Sequence, residues 1–217
     1  MKNHKSQKFR IPNIHPLVQL IVALFIFALT VVASRDTVIT GWEIAVFNFI
    51  YGLPSFLQPV FFVITQTGSI YVLAFLLVLY IFRQHYHVVT RLLMTGTLAY
   101  LLAGVAKDLW GRARPTDYLL DIVNLDYAVR GPGFPSGHTA LATALALTLG
   151  HYTPRKYHWI IALWIIGVAV SRIYLGVHFP LDVIGGFAIG WASYALFRNI
   201  RLYDVRFNKK KKHTKKI

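Results

Sequence analysis

Apolar residues in this chain run in long blocks separated by short polar stretches. A helix that crosses a bilayer needs about 20 mainly apolar residues. On that measure the blocks predict spans over about 17–34, 59–82, 88–106, 137–151, 158–175 and 181–198. The fourth is short, and its start coincides with a polar cluster. A further block, Trp42 to Tyr51, is apolar and aromatic but too short to cross. It predicts an interfacial helix with Trp42 and Tyr51 at headgroup depth. The expected fold class is therefore all-α: a six-span transmembrane helical bundle over 17–198, between basic tails at 1–16 and 199–217.

Composition places the chain in the same class. It is 56% hydrophobic and 14% charged, whereas a soluble domain averages about 25% charged residues. With no cysteine, disulfides and thiolate metal sites are excluded. The net charge of +15 raises nucleic acid as a partner, but the positive charge concentrates in the tails. Lys2, Lys5, Lys8 and Arg10 precede the first block, and Lys209 to Lys212 with Lys215 and Lys216 close the chain. These read as solvated tails near anionic headgroups, so no nucleic-acid partner is expected. The run from Leu17 to Ala33 is longer than a signal-peptide core, and no small-x-small cleavage site follows it. It is read as an uncleaved first span.

Six spans put both tails on one side. Most of the 23 lysines and arginines then lie on that side, and only Arg35, Lys107, Arg112, Arg114, Arg130 and Arg172 lie on the other. This bias places both termini in the cytoplasm and the opposite face outside. Three polar islands interrupt the blocks: Lys107 to Pro115, Pro135 to His138, and Ser171 to Asp182. All three fall on the outer face, which predicts an extracytoplasmic active site. Of nine histidines, His85, His87, His151 and His158 fall at inner span ends and His4, His15 and His213 in or beside the tails. Only His138 and His178 reach the outer face.

Ionisable groups near a bilayer are costly, about 2.5–3.5 kcal/mol each for a buried charge, and each island offers a use for them. Lys107 and Arg114 lie close enough to hold one pocket; the guanidinium fork suits two phosphate oxygens, and the ammonium adds a point charge. Pro115 is expected to stop the helix and begin the outer loop. Ser136 is a natural N-cap, Gly137 allows close backbone approach, and the free N–H groups of the first turn favour an anion. His138 sits beside that site, able to donate a proton. In the third island Asp182 follows His178 by four residues, which places the carboxylate one helical turn along, where it can accept one ring proton and leave the other nitrogen lone-paired. An oriented neutral imidazole is a good nucleophile for phosphorus. A metal site fares poorly: Asp117, Asp121 and Asp126 share the loop 116–134 without ligand spacing, and Lys107, Arg114 and Arg172 would repel a cation near His138, His178 and Asp182. No cofactor is expected. Nothing in the pattern specifies an oligomeric state.

The three islands together, Lys107-x6-Arg114-Pro115, Pro135-Ser136-Gly137-His138 and Ser171-Arg172-x5-His178-x3-Asp182, resemble the signature of the type 2 phosphatidic acid phosphatase superfamily. All three parts match in order and spacing, and the resemblance covers about 55–200. It implies a six-span bundle in which His178 attacks phosphorus to form a phosphohistidine and Asp182 holds and polarises it. His138 would protonate the leaving oxygen and then help activate water. Lys107, Arg114, Ser136, Gly137 and Arg172 would bind the phosphate oxygens, with Arg112 as an outer helper and no metal. The implied substrate is a lipid phosphate: phosphatidylglycerol phosphate or undecaprenyl diphosphate first, phosphatidic acid next. A phosphotransferase passing the phosphoryl group to another acceptor would use the same residues. A non-enzymatic binder or transporter of anionic lipids would not need the His178–Asp182 pair, and a transporter would show internal repeats; none is evident. Gly185, Gly186 and Gly190 are read as close helix packing. The vanadium haloperoxidases share the constellation but are soluble.

Overall fold

The computed structural model describes residues 15–35, 39–119, 121–126 and 131–198. The basic tails expected at 1–16 and 199–217 lie outside these residues apart from His15 and Pro16, as do His4, His213 and Arg130. The described chain is helical, with no strand among the described residues. In order the helices are α1 (Pro16–Ala33), α2 (Gly41–Tyr51), α3 (Gln58–Gln66), α4 (Ile70–Phe82), α5 (Tyr86–Trp110), the single turn α6 (Pro115–Tyr118), α7 (Gly137–Gly150), α8 (His158–Tyr174) and α9 (Pro180–Phe197). Short 3₁₀ turns lead into α3 and α8.

α7 and α9 form the centre. α7 packs on α5, α8 and α9, and α9 also packs on α1 and α5. Of α9, 67% is buried, against 17% of α1. Small residues make this closeness possible. Ala140, Ala142, Ala144 and Ala146 of α7 are wholly buried. A Cβ at Gly186 or Gly190 of α9 would run into the backbone carbonyl of Ser136 or Ala140 on α7. These glycines serve close packing, as the sequence suggests. The outward faces carry Phe25, Val32, Phe75, Phe82, Trp159 and Leu163, all exposed. A surface this apolar suits hydrocarbon rather than water.

Four helical stretches are long and apolar enough to cross a membrane: 16–33, 86–118, 155–174 and 180–197. A fifth would be the pair 41–51 and 55–66, which is bent by 79°. The helix expected over 137–151 is present but has 14 residues. The block 59–82, expected as one span, is split into α3 and α4 at Thr67-Gly68-Ser69. There the hydroxyls of Thr67 and Ser69 donate to the carbonyls of Ile64 and Gln66 and stop the helix. Gly68 packs against Val168 and the His138 carbonyl, where a Cβ would sit 2.8 Å and 3.0 Å away. α3 then packs on α8 and α4 on α5.

The short helix expected at Trp42–Tyr51 is present as α2, and part of it is buried. Glu43 and Phe47 are fully buried, and α2 packs on α8 and α9.

Candidate active site

Four helix ends meet at one end of the bundle: the C-termini of α5 and α8 and the N-termini of α7 and α9. Each end is set by a local signal. α5 closes at Gly111, whose left-handed φ of 62° lets its N–H reach the Lys107 carbonyl at 3.0 Å. The chain then extends through Arg112 to Arg114. Pro115 does not stop α5; it opens α6 at the first helical position, where a missing N–H costs nothing. Asp117 caps that turn by accepting from the Arg114 N–H at 2.8 Å. Ser136 caps α7, its Oγ accepting from the Thr139 N–H at 3.4 Å and the Thr139 hydroxyl at 3.0 Å.

Lys107, Arg114, Gly137, His138, Arg172 and His178 all line one cavity of about 440 Å³. The structure thus brings together residues from all three islands, with His138 and His178 on the same cavity. Ser136 does not line it; its hydroxyl is turned into the cap and its N–H donates to the Asp182 carbonyl at 2.8 Å. Asp182 lies behind His178, not in the wall. On the remaining side Ile70, Tyr71, Tyr100 and Leu141 give an apolar and aromatic wall, with Tyr71 77% exposed.

Two of the cations, Lys107 and Arg114, are held by backbone carbonyls. Lys107 Nζ donates to Pro132 O at 2.7 Å and Gly133 O at 3.3 Å. Arg114 donates to Gly131 O at 2.7 Å, Val177 O at 2.6 Å and Pro132 O at 3.0 Å. The loop before Pro135 therefore fixes both head groups. Arg172 is 1% exposed. Its Nη1 donates to Asp126 Oδ2 at 2.7 Å and Thr65 Oγ1 at 2.8 Å. Its Nε is buried with no hydrogen-bond partner among the described residues. Buried donors of this kind are rare and point to a ligand.

His178 is 2% exposed, and its Nδ1 lies 3.4 Å from Asp182 Oδ2. The two do not lie one turn apart along a helix. His178 precedes the α9 N-cap, Phe179, and Asp182 reaches back from the third helical position to accept the Phe179 N–H at 2.9 Å. One carboxylate oxygen thus caps α9 and faces the imidazole. Burial first, then the charges of Lys107, Arg114, Arg172 and His138, push the His178 pKa well below the ordinary histidine value. The ring is neutral at neutral pH.

Two acidic residues missed by the sequence reading complete the arrangement. Asp126, in the stretch between α6 and α7, neutralises Arg172. Glu43, on α2, is 0% exposed and binds Arg112 through both oxygens, at 2.7 Å and 3.3 Å. Arg112 also donates to Asp182 Oδ1 at 2.8 Å, so it acts behind the cavity rather than in it. Glu43 had a legible signal, a lone carboxylate inside an apolar block; Asp126 had none beyond its loop. Such a site can hold an anion and present a neutral imidazole to it.

Comparison with known proteins follows the same lines. The family model described as the PAP2 superfamily matches residues 88–206. An undecaprenyl-diphosphatase of Sulfolobus acidocaldarius is 34% identical over 123 residues, 54% of this chain and 57% of that protein. A lipid A 4′-phosphatase of Bacteroides thetaiotaomicron is 33% identical over 153 residues, 62% of this chain and 68% of that protein. The crystal structure of a transmembrane PAP2 type phosphatidylglycerolphosphate phosphatase from Bacillus subtilis superposes with a TM-score of 0.72. It shares 24% identity and covers 83% of this chain and 94% of that one, a likeness of fold.

Proposed function

The chain belongs to the PAP2 superfamily, and from that premise and the cavity we propose that it is a multi-pass cell-membrane lipid phosphate phosphatase working through a phosphohistidine. One observation carries the reading: three cations and two histidines from distant stretches converge on a single cavity, with Arg172 Nε left to donate.

In the proposed reaction the phosphate sits among Lys107, Arg114 and Arg172, with the N–H groups at Gly137 and the start of α7 adding dipoles of the right sign. Ser136 lies behind the lining, where its Oγ caps α7 and its N–H binds the Asp182 carbonyl, so it holds Gly137 and His138 in place rather than touching the phosphate. His178 Nδ1 faces Asp182, so Nε2 attacks phosphorus. The bond from phosphorus to the leaving oxygen breaks, and His138 supplies the proton that oxygen takes up. Water then attacks the phosphohistidine, giving its proton to His138, and inorganic phosphate departs with His178 restored. Covalent catalysis divides one of the slowest uncatalysed hydrolyses into two steps. The lining supports chemistry without a metal, because its one carboxylate, Asp126, is already paired with Arg172 and a divalent ion would meet the remaining charges of Lys107 and Arg114.

The aromatic wall formed by Tyr71 and Tyr100 supports a substrate whose apolar tail lies in the bilayer. The relatives' names cover a polyprenyl diphosphate, a lipid A phosphate and a phosphatidylglycerol phosphate. Phosphatidylglycerol phosphate and undecaprenyl diphosphate are the leading substrates here. In the proposed topology the six apolar blocks all cross, the broken stretch 58–82 counting as one. Both termini are then cytoplasmic and the cavity opens outward. Inorganic phosphate release from purified protein tests the reading against a panel of these two lipids, phosphatidic acid and lipid A. Release from at least one lipid is expected, unchanged by chelator. No release from any, or loss of activity with chelator, overturns it.

A further inference from the structure

Glu43 lies outside the region of the family match and outside all three motifs, yet it reaches the back of the catalytic pair. Resting on the phosphatase reading above, we propose that Glu43 is a positioning residue for His178, acting through Arg112 and Asp182. The geometry is a relay of charge. Glu43 grips one side of the Arg112 guanidinium with both oxygens. A further guanidinium contact binds Asp182 Oδ1, leaving Oδ2 toward His178 Nδ1. The Phe179 ring lies against the guanidinium, 5.3 Å from centroid to Cζ. Glu43 Oε1 also accepts the Leu181 N–H at 3.2 Å, tying α2 to the first turn of α9, directly after His178 and Phe179.

The charge balance gives this contact a purpose. Arg112 paired with Asp182 alone would draw the carboxylate toward a full ion pair and weaken its hold on the imidazole proton. Glu43 shares the guanidinium, so Asp182 keeps negative charge for His178. It also stops Arg112 from pivoting. Arg112 and Asp182 are both buried, so these interactions are screened little by solvent. Outer partners of this kind fix the orientation and basicity of the group in front of them.

The test uses the full chain, purified, with undecaprenyl diphosphate in micelles and p-nitrophenyl phosphate as probes. Glu43→Gln is expected to lower kcat about 10–100-fold on a turned-over probe, with KM little changed, the mark of an interaction that counts in the transition state. Glu43→Asp, which keeps the charge, restores most of kcat. Because Glu43 acts through Arg112, adding Glu43→Gln to Arg112→Gln costs little more than Arg112→Gln alone. A folded Glu43→Gln with wild-type kcat, a loss confined to KM, or losses that multiply in the double variant would each overturn the proposal. Should Glu43→Gln not fold, the double variant, which removes the Glu43 and Arg112 charges together and leaves Asp182 its Phe179 N–H and His178 contacts, decides against Arg112→Gln alone. His178→Ala separates the two claims. If it still turns over, the phosphohistidine reading fails whatever Glu43 does. If it is dead while Glu43→Gln is normal, only the relay fails. A wild-type chain inactive on both probes removes the two together.

Discussion

At the residue scale the account turns on the state of one ring. His178 is fully enclosed and surrounded by Lys107, Arg114, Arg172 and His138, so its protonated form is disfavoured first by burial and then by those charges. Asp182 and, behind it, Arg112 and Glu43 set the other side. A histidine pKa depressed in the folded state means that the unfolded chain binds the proton more readily. Stability therefore rises with pH up to about 6.5, the ordinary imidazole midpoint, and falls as the pH drops below it. The same shift keeps the nucleophile unprotonated in mildly acidic solution. The acid limb of kcat/KM assigned to His178 is expected below about 6.5. An acid limb at or above that value would contradict the burial argument.

Elements were legible in proportion to how simply apolarity encodes them. The boundaries of α1, α5, α7, α8 and α9 fall close to the expected blocks because length and hydropathy suffice to define them. The Ser136 cap and the convergence of His138, His178, Lys107, Arg114 and Arg172 followed from local chemistry and motif spacing. What escaped the sequence depends on contacts between distant elements. The hydroxyls of Thr67 and Ser69 break a hydrophobic block whose composition reads as continuous. Glu43 is buried only because Arg112, 69 residues away, is there to meet it. The backbone approach of α7 to α9 offers a test at this scale. Gly186→Ala would press a Cβ into the Ser136 carbonyl and should cost about 1–3 kcal/mol as overpacking, lowering the melting temperature in detergent. Gly104→Ala meets nothing within 4 Å and should leave it unchanged or raised. Equal effects at the two sites would show that the helix contact does not constrain α9.

For the whole molecule, the decisive property is polarity along the bundle axis. Lys107, His138, Arg172 and His178 gather at one end, while His151, Arg155, His158 and Arg198 gather around a second cavity at the other. The proposed orientation puts the first end outside. Because the chain has no cysteine, single substitutions report sidedness without background. Asp121→Cys should react in intact cells with a membrane-impermeant maleimide, and Lys156→Cys only after the membrane is opened. The reverse pattern would place the catalytic cavity in the cytoplasm.

The sidedness result leaves the chemistry to a rapid-quench experiment. Purified protein mixed with ³²P-labelled lipid phosphate and quenched in alkali within the first turnover should carry an acid-labile, base-stable label on His178, absent from His178→Ala. A label on any other residue, or hydrolysis by His178→Ala at the wild-type rate, would contradict the account.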